Sequence, residues 1–173
     1  MKKGWEPPSR FASPQQPKHK TGDKMEKMKL MLVDDEERFL QTTAKLISRK
    51  GYPVVTAASG AEAIEKLLRE NVHVVILDVK MPGMDGIETL KAIKSRFPMV
   101  EVIMLTGHAT VETAVEGLKS GATDYLMKPT DFSELLEKAE EAFAKRQVLE
   151  GKIRVAQSRM YQKSAREILR ETE

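Results

Sequence analysis

Five short apolar runs recur through the middle of the chain, each followed by a stretch whose apolar residues repeat at helical spacing. The runs are Lys29 to Val33, Val54 to Ala57, Val72 to Leu77, Val102 to Leu105 and Asp124 to Met127. Short segments this rich in Val, Ile and Leu predict strands buried on both faces, as in a parallel sheet covered by helices. Glu36 to Arg49 presents Phe39, Leu40, Thr43, Leu46 and Ile47 on one side before Gly51 stops it. Ser59 is placed to cap a helix through Arg69 whose face is Ala63, Ile64, Leu67 and Leu68. Further helices are expected from about Ile87 to Arg96, from about Val111 to Lys119, and from Thr130 or Asp131 onward. Five such units, joined by right-handed crossovers, predict an α/β fold: a doubly wound five-stranded parallel sheet, (βα)5.

Composition agrees with one soluble domain carrying tails. Of 173 residues, 40% are apolar, too many for a wholly disordered chain, and the apolar runs are too short to cross a bilayer. The absence of cysteine excludes a disulfide framework, a thiolate nucleophile and a sulfur-rich metal site. Three histidines are a poor basis for a zinc site. Met1 to Trp5 is basic but leads into Pro, Ser and Gln rather than an apolar core, so no secretory signal is read and the cytoplasm is the expected compartment.

Charge divides the chain in three. Residues 1–28 carry seven Lys or Arg against three acids, residues 29–143 carry 14 against 19, and residues 144–173 carry eight against four. An acidic centre therefore has two basic ends. The reading is a disordered basic extension over 1–27, a folded domain over 28–143 and a basic helical extension over 144–173.

In a doubly wound sheet, ligands bind beyond the carboxyl ends of the strands. The first strand ends in Asp34 and Asp35, the third in Asp78, the fourth in Thr106, and the fifth runs into Lys128 and Pro129. Three converging carboxylates repel one another unless a cation neutralises them, and hard oxygen donors favour Mg²⁺ or Mn²⁺, which readily take a phosphate oxygen. A hydroxyl and an ammonium opposite them can hold phosphoryl oxygens as charge spreads during transfer. No Ser, Cys or His stands at a comparable strand end, so the expected nucleophile is a carboxylate and the expected product an acyl phosphate.

These residues resemble the response-regulator receiver domains of two-component signalling. The motifs are Val33-Asp34-Asp35-Glu36, Leu77-Asp78-Val79-Lys80-Met81-Pro82-Gly83-Met84-Asp85-Gly86, Leu105-Thr106-Gly107 and Tyr125-Leu126-Met127-Lys128-Pro129, in the family's order and spacing. The resemblance implies the flavodoxin-like receiver fold, with Asp78 as phosphoacceptor in a phosphorelay. Asp35 would bind the metal directly, Asp34 through water and Lys80 through its carbonyl. Thr106 and Lys128 would hold the phosphoryl group, Tyr125 would be the rotating switch, and Lys128-Pro129 would be a cis peptide. The implied donor is a sensor histidine kinase or a histidine phosphotransfer protein, and the output surface is the fourth helix, fifth strand and fifth helix. Lys80 and His108 would flank the pocket at variable positions.

Plainer readings stand beside these. The run Asp34 to Glu37 could be an acidic helix start, Thr106 a strand-end cap, Tyr125 simple packing and His73 a structural strand residue. A Mg²⁺-dependent phosphatase with an aspartyl-phosphate intermediate would want a D-x-D pattern and a cap insertion, and a flavin carrier would want a phosphate loop where four acids stand. In the tail, stepping by four and three from Leu135 through Ala139, Ala142, Arg146, Leu149, Ile153, Ala156, Met160, Lys163 and Glu167 predicts a helix continuing out of the domain, with Arg146, Lys163 and the Gly151 interruption weakening a long coiled coil. Homodimer formation and docking onto a partner protein are both open for it. Its basic charges, spread around a helix, read as a solvated face rather than a DNA-binding surface.

Overall fold

The computed structural model describes residues 26–171, so the basic segment before Glu26 lies outside the described residues. The strands are β1 Leu30–Val33, β2 Val54–Ala57, β3 Val74–Leu77, β4 Glu101–Thr106 and β5 Asp124–Met127. They alternate with α1 Glu37–Arg49, α2 Gly60–Leu67, α3 Gly86–Arg96, α4 Val111–Lys119 and α5 Phe132–Glu171. All pairs are parallel, as the alternating pattern predicted, and the strand order is β2-β1-β3-β4-β5.

The period of two in each strand sorts its side chains into two cores. Leu30, Leu32, Val74, Ile76, Ile103 and Leu105 face α1 and α5, where Leu40, Ile47, Leu135 and Ala139 meet them. Met31, Val33, Val75, Leu77, Val102 and Met104 face the other way, against Ala63, Ile64, Leu67, Ile87, Leu90 and Ile93 of α2 and α3. Because both faces are covered, no polar residue interrupts β1 or β3. Each fully buried Leu or Ile contributes about 1.5–3 kcal/mol.

Local chemistry sets the helix starts. The Ser59 hydroxyl accepts the Glu62 N–H, and Asp85 with Glu88 forms a reciprocal capping box at α3. Gly86 follows that cap because a Cβ there would collide with the Asp78 carbonyl oxygen and the Val79 Cα. The β3–α3 loop can thus fold tightly over the end of β3, with the Gly86 N–H on the Val79 carbonyl at 2.8 Å.

The opposite edge of the sheet anchors α5. His73 Nδ1 accepts the Lys29 N–H at 2.8 Å, and its ring lies 5.0 Å from that of Phe143. Arg146 Nη1 donates to the Val72 carbonyl at 3.1 Å while its Nε donates to Glu150 at 2.7 Å. β3 begins at Val74 rather than at Val72, and side chains take the Val72 carbonyl and the Lys29 N–H beside its start. Arg146, read from sequence as a break in the apolar stripe, is buried and belongs to this anchor. The helix also runs unbroken through Gly151, and residues 151–170 are exposed throughout.

Candidate phosphoacceptor site

Chain order reverses around β1, which lies between β2 and β3, so the crevice opens beyond the carboxyl ends of β1 and β3. Asp34 directly follows β1 and Asp78 directly follows β3. Their backbones are tied down, Asp34 N–H to the Ala57 carbonyl at 3.1 Å and Asp78 N–H to the Val33 carbonyl at 2.9 Å. Asp34 and Asp78 are buried and Asp35 is exposed. One carboxylate oxygen from each of Asp34, Asp35 and Asp78 lies within 4.8 Å of the others.

Lys128 closes this group from the end of β5. Its Nζ donates to Asp34 Oδ2 at 2.5 Å and stands 4.3 Å from the centre of the Phe39 ring on α1. Asp34 Oδ1 accepts the Glu36 N–H at 2.9 Å, so both oxygens of this buried carboxylate have a partner. Asp78 is less well compensated. Its burial, then the neighbouring Asp34, push its carboxyl above the usual range, with Lys128 and the Val79 N–H opposing the shift. A buried carboxylate at odds with two others is the donor set a hard divalent cation suits, so the residues present fit the implied magnesium.

Thr106 ends β4 fully buried, its Oγ1 accepting the His108 N–H at 3.2 Å and its carbonyl accepting the Lys128 N–H at 2.8 Å. The Lys128–Pro129 peptide is cis, as the resemblance implied. Lys80 is exposed and lines an open hollow with Pro82, Asp85, Lys91 and Glu116. Tyr125 does not join the acidic group. Its ring packs on the α3 side of the sheet and its hydroxyl meets Thr113 Oγ1 on α4 at 3.1 Å. Sequence reasoning missed three contributors: Phe39 under the ammonium, Thr113 on the tyrosine, and Arg146 at the far edge. Each contact joins residues from different elements. For Phe39 alone a signal existed, an aromatic residue one helical turn beyond the Asp34-Asp35 pair.

A family model described as the response regulator receiver domain matches residues 30–140. The chain belongs to the receiver domain family. A receiver protein (CheY-like) from Methanospirillum hungatei JF-1 superposes with a TM-score of 0.68 at 33% identity, covering 70% of this chain and 98% of that one. Among curated relatives, the transcriptional regulatory protein ZraR of Klebsiella oxytoca is 42% identical over 119 residues, which are 69% of this chain and 27% of that protein. The DNA-binding transcriptional regulator NtrC of Escherichia coli K12 is 37% identical over 113 residues, 65% of this chain and 24% of its own length. This chain thus spans about a quarter of those relatives. Their names lend no support to the expectation that DNA is not a partner. Among the described residues, no helix is long and apolar enough to cross a membrane.

Proposed function

We propose that this receiver domain is a phosphorylation switch with Asp78 as its acceptor. A histidine kinase or phosphotransfer protein presents a phosphohistidine. An Asp78 oxygen attacks the phosphorus in line, the P–N bond breaks as the P–O bond forms, and the departing imidazole nitrogen takes up a proton. Thr106 and Lys128 hold the phosphoryl oxygens, so Lys128 must turn from Asp34 toward the new dianion. Magnesium, held by Asp34, Asp35, Asp78 and the Lys80 carbonyl, would screen the repulsion between nucleophile and donor. The observation that carries this reading is the gathering of three carboxylates and one ammonium at a single crevice.

The switched surface is α4, β5 and α5, with Tyr125 following Thr106 inward. Moving such an equilibrium from 1:99 to 99:1 takes about 5.5 kcal/mol, within reach of a few charge-assisted hydrogen bonds at about 1.5–3 kcal/mol each. We place the reaction in the cytoplasm, on a domain over 28–143 flanked by basic extensions. The names of the ZraR and NtrC relatives favour transcription as the process controlled. DNA contact through the tail would show as affinity falling steeply with added salt.

The deciding experiment incubates the chain with a small acyl-phosphate donor and Mg²⁺ and measures intact mass. One added phosphate is expected on the wild type and none on Asp78→Ala. Equal labelling of the variant, or no labelling without it, overturns the assignment.

A further inference from the structure

The hydroxyl of Thr113 is the most heavily used side-chain atom on α4. Its Oγ1 accepts the Thr110 N–H at 3.0 Å, lies 3.0 Å from the Thr110 carbonyl oxygen, 3.2 Å from the Thr110 hydroxyl and 3.1 Å from the Tyr125 hydroxyl. A threonine hydroxyl has one proton and two lone pairs. One lone pair takes the Thr110 N–H, and the Thr110 carbonyl can only accept, whereas between Thr113 Oγ1 and the hydroxyls of Thr110 and Tyr125 either oxygen can be the donor. Four polar neighbours around one proton and two lone pairs leave Thr113 no capacity to spare.

The same residue thus does two jobs. It is the third residue of α4 in a reciprocal box with the capping Thr110, whose Oγ1 accepts the Thr113 N–H at 3.1 Å. It also fixes the outer end of Tyr125. The ring of that tyrosine lies beside Gly117 of α4, where a Cβ would stand at ordinary contact distance, 3.6 Å from Tyr125 Cδ2 and 3.6 Å from Met104 Cγ. Thr110 opens α4 two residues beyond His108, whose N–H is bonded to Thr106 Oγ1. The β4–α4 loop thereby links the Thr106 hydroxyl at one end to the tether on Tyr125 at the other.

We propose that Thr113 is a positioning residue for the switch: its hydroxyl tethers Tyr125 to the start of α4 and sets how much of the unphosphorylated protein holds the resting position. This rests on the reading of Tyr125 as the moving aromatic. When the loop is drawn toward a phosphorylated Asp78, α4's first turn shifts, and Tyr125 loses its one bond to that turn. A weaker tether should leave the protein closer to the switched state before any phosphate arrives.

The test uses the full chain with fluorotyrosine at its three tyrosines, Tyr52, Tyr125 and Tyr161, the Tyr125 signal being assigned with Tyr125→Phe. Beryllium fluoride with Mg²⁺ serves as the phosphoryl mimic. Without the mimic, Thr113→Val is expected to move the Tyr125 fluorine signal toward its mimic-bound position, and to lower the beryllium fluoride needed for half-saturation about fivefold. Thr113→Ser should behave as wild type. Thr110→Val breaks the same capping box without touching Tyr125, and should leave the signal in place. If Thr113→Val leaves the signal unmoved, or Thr110→Val moves it equally, the tether is refuted. If the mimic itself does not move Tyr125 in the wild type, the phosphorylation reading fails instead, and the comparison of Thr113→Val with Thr110→Val still decides whether the bond exists in solution.

Discussion

Lys128 pairs with Asp34, not with Asp78: its Nζ lies 2.5 Å from Asp34 Oδ2. The site thus holds the Lys128 ammonium on the more deeply buried carboxylate, since Asp34 is nearly without solvent contact. The Phe39 face supports the same ammonium from the side of α1. Replacing Lys128 by Met removes both contacts and leaves a buried carboxylate beside two others. The expected cost in buffer free of divalent cations is about 1–3 kcal/mol in chemical denaturation. Mg²⁺ should restore more stability to Lys128→Met than it adds to the wild type. An unchanged unfolding free energy would mean that Asp34 needs no partner.

Asp78 carries the opposite strain. Burial and the Asp34 charge both disfavour an ionised Asp78. Asp78→Asn keeps the shape and removes the charge, so without metal it should melt above the wild type, by on the order of 2–4 °C. Mg²⁺ should raise the wild-type melting temperature and have a smaller effect on the variant. Thermal melts in chelator and in Mg²⁺ check both. A variant that melts lower in chelator would show that the three carboxylates do not repel appreciably.

What the sequence could reveal depended on whether the physics was local. Strands such as Val74–Leu77 were legible because burial on both faces permits only apolar residues there. The acidic pair, Asp78, Thr106 and Lys128 were legible because parallel topology delivers every strand's carboxyl end to one edge. The start of β3 was not, with the Val72 carbonyl beside it taken by Arg146, 74 positions away. The same long reach explains Arg146 itself: along the helix it interrupts an apolar stripe, whereas in three dimensions it fills the place where that stripe meets the sheet edge. Tyr125 stands out along the chain through its motif, but Thr113 does not, and only the packing of α4 beside β5 joins them.

Arg146 should therefore matter to the domain more than to the tail. Met in its place keeps the stem's packing but leaves the Val72 carbonyl without its guanidinium donor. The expected loss is about 1–3 kcal/mol of folding free energy, with faster amide exchange from residue 146 to residue 150 and little change beyond residue 151. Exchange that quickens along the whole exposed helix while the domain's stability holds would place the effect in the helix instead.

His73 makes a prediction with a definite sign. It is 2% exposed, packed on Phe143, and its Nδ1 is committed to the Lys29 N–H, which leaves the ring proton on Nε2. That nitrogen is 3.2 Å from Glu26 Oε1 but makes no aligned hydrogen bond. Burial, then the Arg146 charge, hold the imidazole below its ordinary 6.5, and Glu26 and Glu150 oppose the shift without reversing it. Below pH 6.5 the unfolded chain therefore binds a proton that the folded chain resists. The contribution of His73 to stability is complete above that pH and is lost as pH falls through it toward the lower folded value. His73→Asn keeps an acceptor for Lys29 and does not titrate. The unfolding free energy of the wild type should fall more than that of the variant between about pH 8 and about pH 5. Carboxylates shared by both proteins cancel in that difference. Parallel curves would mean that the buried imidazole takes its proton as readily folded as unfolded.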